Sequence, residues 1–520
     1  MPKKLQSVSI AAPGFLGLNK QQAGELMPPG WATEALNCVI DSSGRMAARK
    51  GYRNSNDTAI STSPEVKSIH EYIDGDGNSI IILAAGNAIY KIAGTSLTAI
   101  TGTITSPSAD NWHFVNFNGN CVGYQTGHTP IIITSTSGSF ADITLAGTQQ
   151  PSSTTDNITA AFGRMWVIDG TDLKYSDSLS TSAFNGVFDL STVWLSGMDE
   201  GVLVTEFNGH LVIFGKRSII VYNNPWDPAS GGTLDTTQMT LVESISGIGC
   251  IARDSIQHIG NDVIFLSHTG IRSLSRTIQE KSMPLRDLSK NNKVYFLNDV
   301  NATVSFSDVK STYNQEESMY IISLPNTNTS TGKVYYFDLR NILEDGSARM
   351  AEWDIYTTAL STDLSNNTYL GTAGFISTYQ GYRNNVLSDG TGGASYLFKY
   401  HSPWNNMGEE VQSFLKIPKK IGLIVYGISG VTITVKWGFD FLDVFNSKNI
   451  TVATSGSLAE YGEAEFGIAE YGAGAGYINI TSPMTKSGRV IKFGIQVNVS
   501  GLEVALQQIN MQAKIGKMVA

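Results

Sequence analysis

Phe207–Tyr222, FNGHLVIFGKRSIIVY, carries the pattern on which the fold turns. An apolar residue and a glycine lead into Leu211-Val212-Ile213-Phe214, the chain breaks at Gly215, and a second apolar run follows at Ile219-Ile220-Val221-Tyr222. Glycine at a strand-to-strand turn keeps a hairpin tight. Leu211 and Ile213 alternate with Val212 and Phe214, so both faces of the strand are apolar, as in a sheet covered on both sides.

The pattern recurs on either side. Phe117-Asn118-Gly119 precedes Cys121 to Tyr124 and Ile131-Ile132-Ile133. Ala161-Phe162-Gly163 precedes Met165 to Ile168, a turn at Asp169-Gly170, and Leu173-Lys174-Tyr175. His258-Ile259-Gly260 precedes Val263 to Leu266, a turn at Thr269-Gly270, and Ile271 to Leu274. The glycines at 119, 163, 209 and 260 stand 44, 46 and 51 residues apart. Ser79 to Leu83, Gly86-Asn87 and Ala88 to Ile92 supply an earlier copy. Met319 to Ile322, Val334 to Phe337 and Ser395 to Tyr400 are weaker ones.

Antiparallel hairpins repeating every roughly 40–50 residues are the signature of β-propeller blades. One blade cannot bury both its faces, so blades stack radially and each covers the next. The expectation is an all-β chain with a propeller of about five to seven blades across residues 61–410. A β-sandwich or stacked barrel with hairpins of coincidental spacing is the alternative. Residues 1–60 form an N-terminal arm, and 411–520 a C-terminal antiparallel β-sandwich-like domain. In that last part Lys416-Ile417-Pro418-Lys419-Lys420 reads as a linker. Ile421 to Tyr426, Val431 to Trp437, Gly476 to Ile480, Val490 to Val499 and Val504 to Ile509 read as strands. Ala459-Glu460-Tyr461-Gly462 recurs at five-residue steps, a period of neither helix nor strand, and reads as a loop of aromatic-Gly turns.

Composition agrees with short strands and tight turns. The 520 residues include 52 glycines, and only 16% are charged. No run of eighteen apolar residues exists, so no membrane span is expected. Cys38, Cys121 and Cys250 lack C-x-x-C spacing and read as buried thiols. A formal net charge of −9 argues against a protein that grips nucleic acid with a basic surface. Two small basic clusters, Arg45/Arg49/Lys50/Arg53 and Lys416/Lys419/Lys420, read as solvated faces or subunit contacts.

The arm has its own grammar. Pro13-Gly14 and Gly17 break regular structure, Pro28-Pro29-Gly30 sets an extended entry, and Trp31, Ala32, Ala35 and Leu36 recur at helical spacing for about two turns. Asn37 ends that helix, Cys38-Val39-Ile40 is a strand, and Asp41-Ser42-Ser43-Gly44 is a hairpin loop in which Gly44 takes positive φ. Arg45 to Arg49 returns, and Gly51 lets the chain leave. This order of Gly17-Leu18-Asn19, Pro28-Pro29-Gly30, Asn37, Gly44 and Arg49-Lys50-Gly51-Tyr52 resembles the N-terminus of tail nozzle (tail tubular, packaged-DNA stabilisation) proteins of short-tailed bacteriophages. Lys50 departs from the proline often found before that glycine. The resemblance marks Gly17, Asn19, Pro28, Gly30, Asn37, Gly44, Arg49 and Gly51 as a candidate assembly motif. It implies a virion tail protein made in the host cytoplasm, a homo-hexamer below the portal and its adaptor ring, with a tail fibre or tailspike as a further neighbour. Such a ring passes double-stranded DNA without specific binding. Glu460, Glu463, Glu465 and Glu470 are the candidate channel-facing or subunit-facing loop.

Enzyme signals are missing from the sequence, and no cofactor or metal is expected. The seven histidines never share a short element at metal-ligand spacing. No H-E-x-x-H, G-x-S-x-G or P-loop occurs. Gly247-Ile248-Gly249 and Gly472 to Gly476 lack a strand-to-helix context. Asp74-Gly75-Asp76-Gly77-Asn78 resembles the start of a calcium loop without its distal Glu, and reads as a hairpin turn. A propeller glycoside hydrolase would need paired carboxylates, and Asp169, Asp262 and Asp389 all lie in turns. The other alternative is a receptor-binding or baseplate-hub adhesin.

Overall fold

The computed structural model describes residues 5–518 apart from 103–110, 195–198, 224–225, 228–232, 235–238, 261, 276–286, 428–429, 443–444 and 453–476. Seven small sheets stand around one axis, each opening with its innermost strand: Val66–Ile73, His113–Phe117, Ile158–Ala161, Gly201–Phe207, Gln257–His258, Lys310–Asn314 and Ala359–Thr362. The fold is an all-β propeller, joined to a β-sandwich.

The local cause is the turn that ends each innermost strand. Asn118-Gly119, Phe162-Gly163 and Asn208-Gly209 take φ of 51° and 73°, 51° and 67°, and 49° and 74°. That is the two-residue type I′ hairpin, whose twist matches the strands it joins. In the first blade Asp74 does the same work with its side chain, accepting from the backbone N–H of Asp76 (3.0 Å) and Asn78 (2.9 Å). The hairpin expected at Asp74–Asn78 is the turn between Val66–Ile73 and Ser79–Ala85.

Packing then closes the ring. In the fourth blade Leu211 and Ile213 join a buried cluster with Trp166, Ile168 and Leu173 of the third. Val212 and Phe214, on the other face, join Val263 and Phe265 of the fifth. The two-faced alternation read from 211–214 is therefore one blade serving two neighbours. Similar clusters bind the first blade to the second and the second to the third. Val66 and Leu83 meet Ala359 and Ile376 where the seventh blade returns to the first. There Thr358 Oγ1 donates to Val66 O at 2.6 Å.

The arm is woven through this ring. Tyr52–Asn54 is the fourth strand of the seventh blade, antiparallel to Phe375–Tyr379. Residues 52–54, placed in the arm by the sequence, thus belong to the propeller. Glu34–Leu36 lies between Arg349–Trp353 of the sixth blade and Tyr396–His401, and so joins the blade to the sandwich in one nine-stranded sheet. Tyr396–His401 is itself a sandwich strand, paired with Ile491–Val499. The weak repeat at 395–400 is therefore not a blade, and the sandwich begins before residue 411.

Two further expectations are corrected. No helix forms at Trp31–Leu36: Trp31–Ala32 pairs in parallel with Gly17–Leu18, and Glu34–Leu36 is a strand. The backbone there finds partners on both sides, Thr33 N–H donating to His401 O and Asn37 N–H to Glu352 O. Two short turns of helix cannot outweigh such a ladder. Lys416–Lys420 is no linker but lies inside the thirteen-residue strand Phe414–Tyr426. The other sandwich sheet orders Tyr477–Pro483, Phe414–Tyr426, Ala505–Met518, Met46–Ala48 and Cys38–Ile40, with Leu5–Ala11 pairing along Ala505–Met518. Ile421, Leu423, Ile509 and Met511 from it meet Val435, Trp437, Ile495 and Val497 in the core. All three thiols are free and buried.

Candidate functional site: the arm junction and the propeller centre

Asn37 is the joint where arm, propeller and sandwich meet. It is fully buried, and its φ of 55° is one asparagine tolerates better than most residues. Its backbone N–H donates to Glu352 O of the sixth blade at 2.7 Å. Its Nδ2 donates to Leu397 O of the sandwich at 2.8 Å. Its Oδ1 accepts from Arg49 Nε at 2.8 Å and from Asp354 N at 3.2 Å. Three structural units are thus held by one side chain and its peptide.

Arg49 completes the joint. Its side chain is 0% exposed, with the guanidinium 4.2 Å from the centre of the Tyr396 ring and Nη2 3.6 Å from Asp354 Oδ1. Nη1 donates to Lys50 O at 2.8 Å and Asn384 Oδ1 at 2.9 Å. Burial pulls the guanidinium pKa down, and Tyr396, Tyr379 and Asp354 oppose that pull. Next to it Lys50 N–H donates to Tyr379 OH at 3.0 Å, a bond the proline of the resembling proteins cannot make. Trp353 stacks between Tyr336 and Tyr379, with centroids 5.7 and 5.5 Å away, and donates to Cys38 O at 2.9 Å.

Of the remaining motif residues, Gly17 and Gly51 press on the propeller, while Asn19, Pro28, Gly30 and Gly44 shape the arm itself. Gly17 (φ 85°) lies against Met350, where a Cβ would come 2.8 Å from its carbonyl oxygen. Asn19 is buried, its Oδ1 accepting from Gln21 N at 3.0 Å and its own N–H donating to Ala32 O at 2.8 Å. Pro28 O closes a turn with Trp31 N–H, and Gly30 O accepts from Leu16 N–H. Gly44 has the expected positive φ, 73°, and covers Pro13. At Gly51 a Cβ would fall 1.9 Å from Arg383 O. Gly51→Ala is therefore expected to displace the strand Tyr52–Asn54 and to cost about 3 kcal/mol or more. A melting temperature within a degree of wild type would contradict this. The basic cluster of the arm is spent internally: Arg45 on Asp41 and the Tyr426 ring, Lys50 on Glu317, Arg53 on Ser388 O. Glu460, Glu463, Glu465 and Glu470 lie outside the described residues.

The second constellation sits on the propeller axis. A cavity of about 250 Å³ is lined by the innermost strands and by the turn at Arg253–Ser255. Arg253 grips Asp254 through Nε (2.7 Å) and Nη2 (2.9 Å), and reaches Asp156 Oδ2 at 3.0 Å. Lys310 bridges Asp254 to Asn111 Oδ1. Burial alone would raise the Asp254 carboxyl, but Arg253 and Lys310 outweigh it and hold it far below the usual carboxylate range. Burial and then Arg253 push the His113 imidazole down to about 3. Burial pushes His70 down to about 4, against a hydrogen bond with Asn116.

Sequence reading missed this centre. The polar contacts join residues as distant as Lys310 and Asn111, so no local spacing announces them. The one available signal was charge on innermost strands, at Lys67, His70, His113 and Lys310. The turn aspartates weighed as a hydrolase pair are occupied locally. Asp169 binds Ser152 and Lys174, Asp262 binds Ser273, and Asp389 binds Thr391.

No protein-family model and no curated protein matches the chain. Among solved structures it is similar to a streptogramin B lyase, with 12% identity over 65% of this chain and 94% of that one and a TM-score of 0.35. It is also similar to the extracellular domain of the hybrid two component system BT4673 from B. thetaiotaomicron (11%, 68% and 44%, TM-score 0.38). A third is PorZ, a surface component of the type-IX secretion system of Porphyromonas gingivalis (12%, 60% and 36%, TM-score 0.36). Likeness at this level says nothing of activity.

Proposed function

We propose that the chain is the nozzle protein of a short phage tail, a structural virion component that extends the portal-adaptor channel, retains packaged DNA and conducts it at ejection. One observation carries the reading: three of the residues behind the family resemblance, Asn37, Arg49 and Gly51, meet in a single buried seam. Asn37, Arg49 and Gly51 lock arm, propeller and sandwich together, which is what a part under axial load in an assembly needs. The propeller axis supports a ring of chains as the conduit. Its cavity is only about 250 Å³ and is crossed by the Arg253–Asp254–Lys310 ion pairs, so among the described residues the propeller axis is no bore for a duplex. In such a ring Glu460, Glu463, Glu465 and Glu470 would form a phosphate-repelling wall, a role that rests on the sequence alone.

Imaging of purified protein by negative stain, with and without the adaptor, tests the proposal. Sixfold rings that require adaptor are expected. Trimers that bind host glycans would replace the nozzle by an adhesin.

A further inference from the structure

Charge is segregated in this molecule. Against the net charge of −9, residues 411–520 hold ten Lys and Arg and seven Asp and Glu. Of the described acids, Asp440 accepts from the backbone N–H of Arg489 and Val490, and Glu503 is the other; Asp443, Glu460, Glu463, Glu465 and Glu470 lie outside the described residues. Four adjacent strands of one sandwich sheet, Leu5–Ala11, Phe414–Tyr426, Tyr477–Pro483 and Ala505–Met518, contain neither Asp nor Glu and five lysines, of which Lys416 is buried with its Nζ on Val411 O and Gln412 O and the other four remain for the surface.

Strand geometry puts the charges together. Ile421, Leu423, Met511 and Ala513 point into the core. Alternation then places Lys420 and Lys514 on the opposite, outer face. The register shift at Pro418/Lys420 leaves both Lys419 and Lys420 exposed, as a bulge does. Lys416 N–H donates to Gly488 O at 2.7 Å, which brings the exposed Lys486 and Arg489 to the same end of the sheet. Lys517 extends the row. Between the lysines the outer face carries Ser7, Ser9, Asn510 and Gln512, together with Leu5 and Ile417, which both pair with Lys514, and Ile424; Tyr477 and Met518 stand at strand ends.

We propose that this face binds the phosphate backbone of duplex nucleic acid without reading its sequence. Point charges set among amide and hydroxyl groups on a flat sheet suit phosphate and sugar contacts. Single strands would call for a row of stacking aromatics. The inference stands on the charge partition and is independent of the nozzle reading. Ring formation tests that one, and DNA binding by the purified chain tests this one.

Anisotropy of a fluorescent duplex of arbitrary sequence, titrated with the full chain, is the experiment. With about four phosphates neutralised, the log–log salt slope is about −3.6, and affinity falls roughly 150-fold between 50 and 200 mM salt. The K419E/K420E/K514E variant is expected to lose at least about tenfold in affinity and to flatten the slope, since each lost phosphate contact removes about 0.9 from it. K448E, on the other sheet, binds as wild type. K419Q/K420Q/K514Q gives the same direction of change should the reversal disturb folding. No binding at 50 mM salt, or binding untouched by the lysine variants, overturns the proposal. Tighter competition by polyglutamate or by phosphatidylglycerol vesicles overturns it too, in favour of an acidic protein or a membrane.

Discussion

Asn37→Ala is expected to cost about 5 kcal/mol and to uncouple the propeller from the sandwich. The alanine leaves Leu397 O, Asp354 N–H and Arg49 Nε without that partner, the last in a fully buried place. Each neutral group so stranded costs about 1–3 kcal/mol, and a charged one more. Alanine at a φ of 55° adds about 1–2 kcal/mol of backbone strain. Because the chain has two packed bodies, two-state unfolding is not assured, and the readout must resolve them. Thermal melts followed by tryptophan fluorescence, with hydrogen exchange read separately on 396–401 and 349–353, are expected to show early opening at that seam. Asn37→Asp keeps the acceptor for Arg49 and Asp354 and loses only the donor to Leu397 O, so it costs about 1–3 kcal/mol. Equal stability of wild type and Asn37→Ala would remove the joint from its central place.

How much of this was legible in the sequence depends on range. Asn-Gly and Phe-Gly turns and two-faced strands such as 211–214 are local, and they yielded the blades. Several sandwich strands, such as 421–426 and 490–499, followed from alternation, but their order in the two sheets did not. The helix at Trp31–Leu36 failed because its spacing matched a helical stripe while its backbone was claimed by strands more than 300 residues away. The linker at Lys416–Lys420 failed because a bulge sets two lysines side by side, which breaks the alternation a strand should show. Asn37 and Arg49 were marked by resemblance, yet nothing local said that one would cap the other. The central ion pairs were invisible for the same reason, since Asp254, in the turn before the fifth blade, and Lys310, on the sixth, lie 56 residues apart.

That centre governs the second large effect, an acid weakening of the propeller between pH 6.5 and 4. His70 and His113 have folded pKa values of about 4 and about 3, below the 6.5 of an unfolded chain. Between those values the unfolded state binds more protons than the folded one, so stability falls as pH falls. At pH 5 each histidine subtracts about 2 kcal/mol relative to pH 7.5, together about 4. For a unit of this size that is a fall of about 5 °C in melting temperature. The carboxylate works in the same direction further down. Asp254 is held below its ordinary 3.8, so its contribution is complete above that value and is lost only as pH drops beneath it. Every neighbour of the histidines adds to the penalty or relieves it in a known way. Arg253 and Lys310 repel an imidazolium at 113, and Asp254 attracts one. The His70→Gln/His113→Asn double variant should therefore lose clearly less melting temperature than the wild type between pH 7.5 and pH 5, the remainder falling to His258 and His401, whose imidazoles burial also pushes down. If both proteins lose equal stability over that interval, the protons are taken up elsewhere. The ring would then owe its acid sensitivity to groups other than those on its axis.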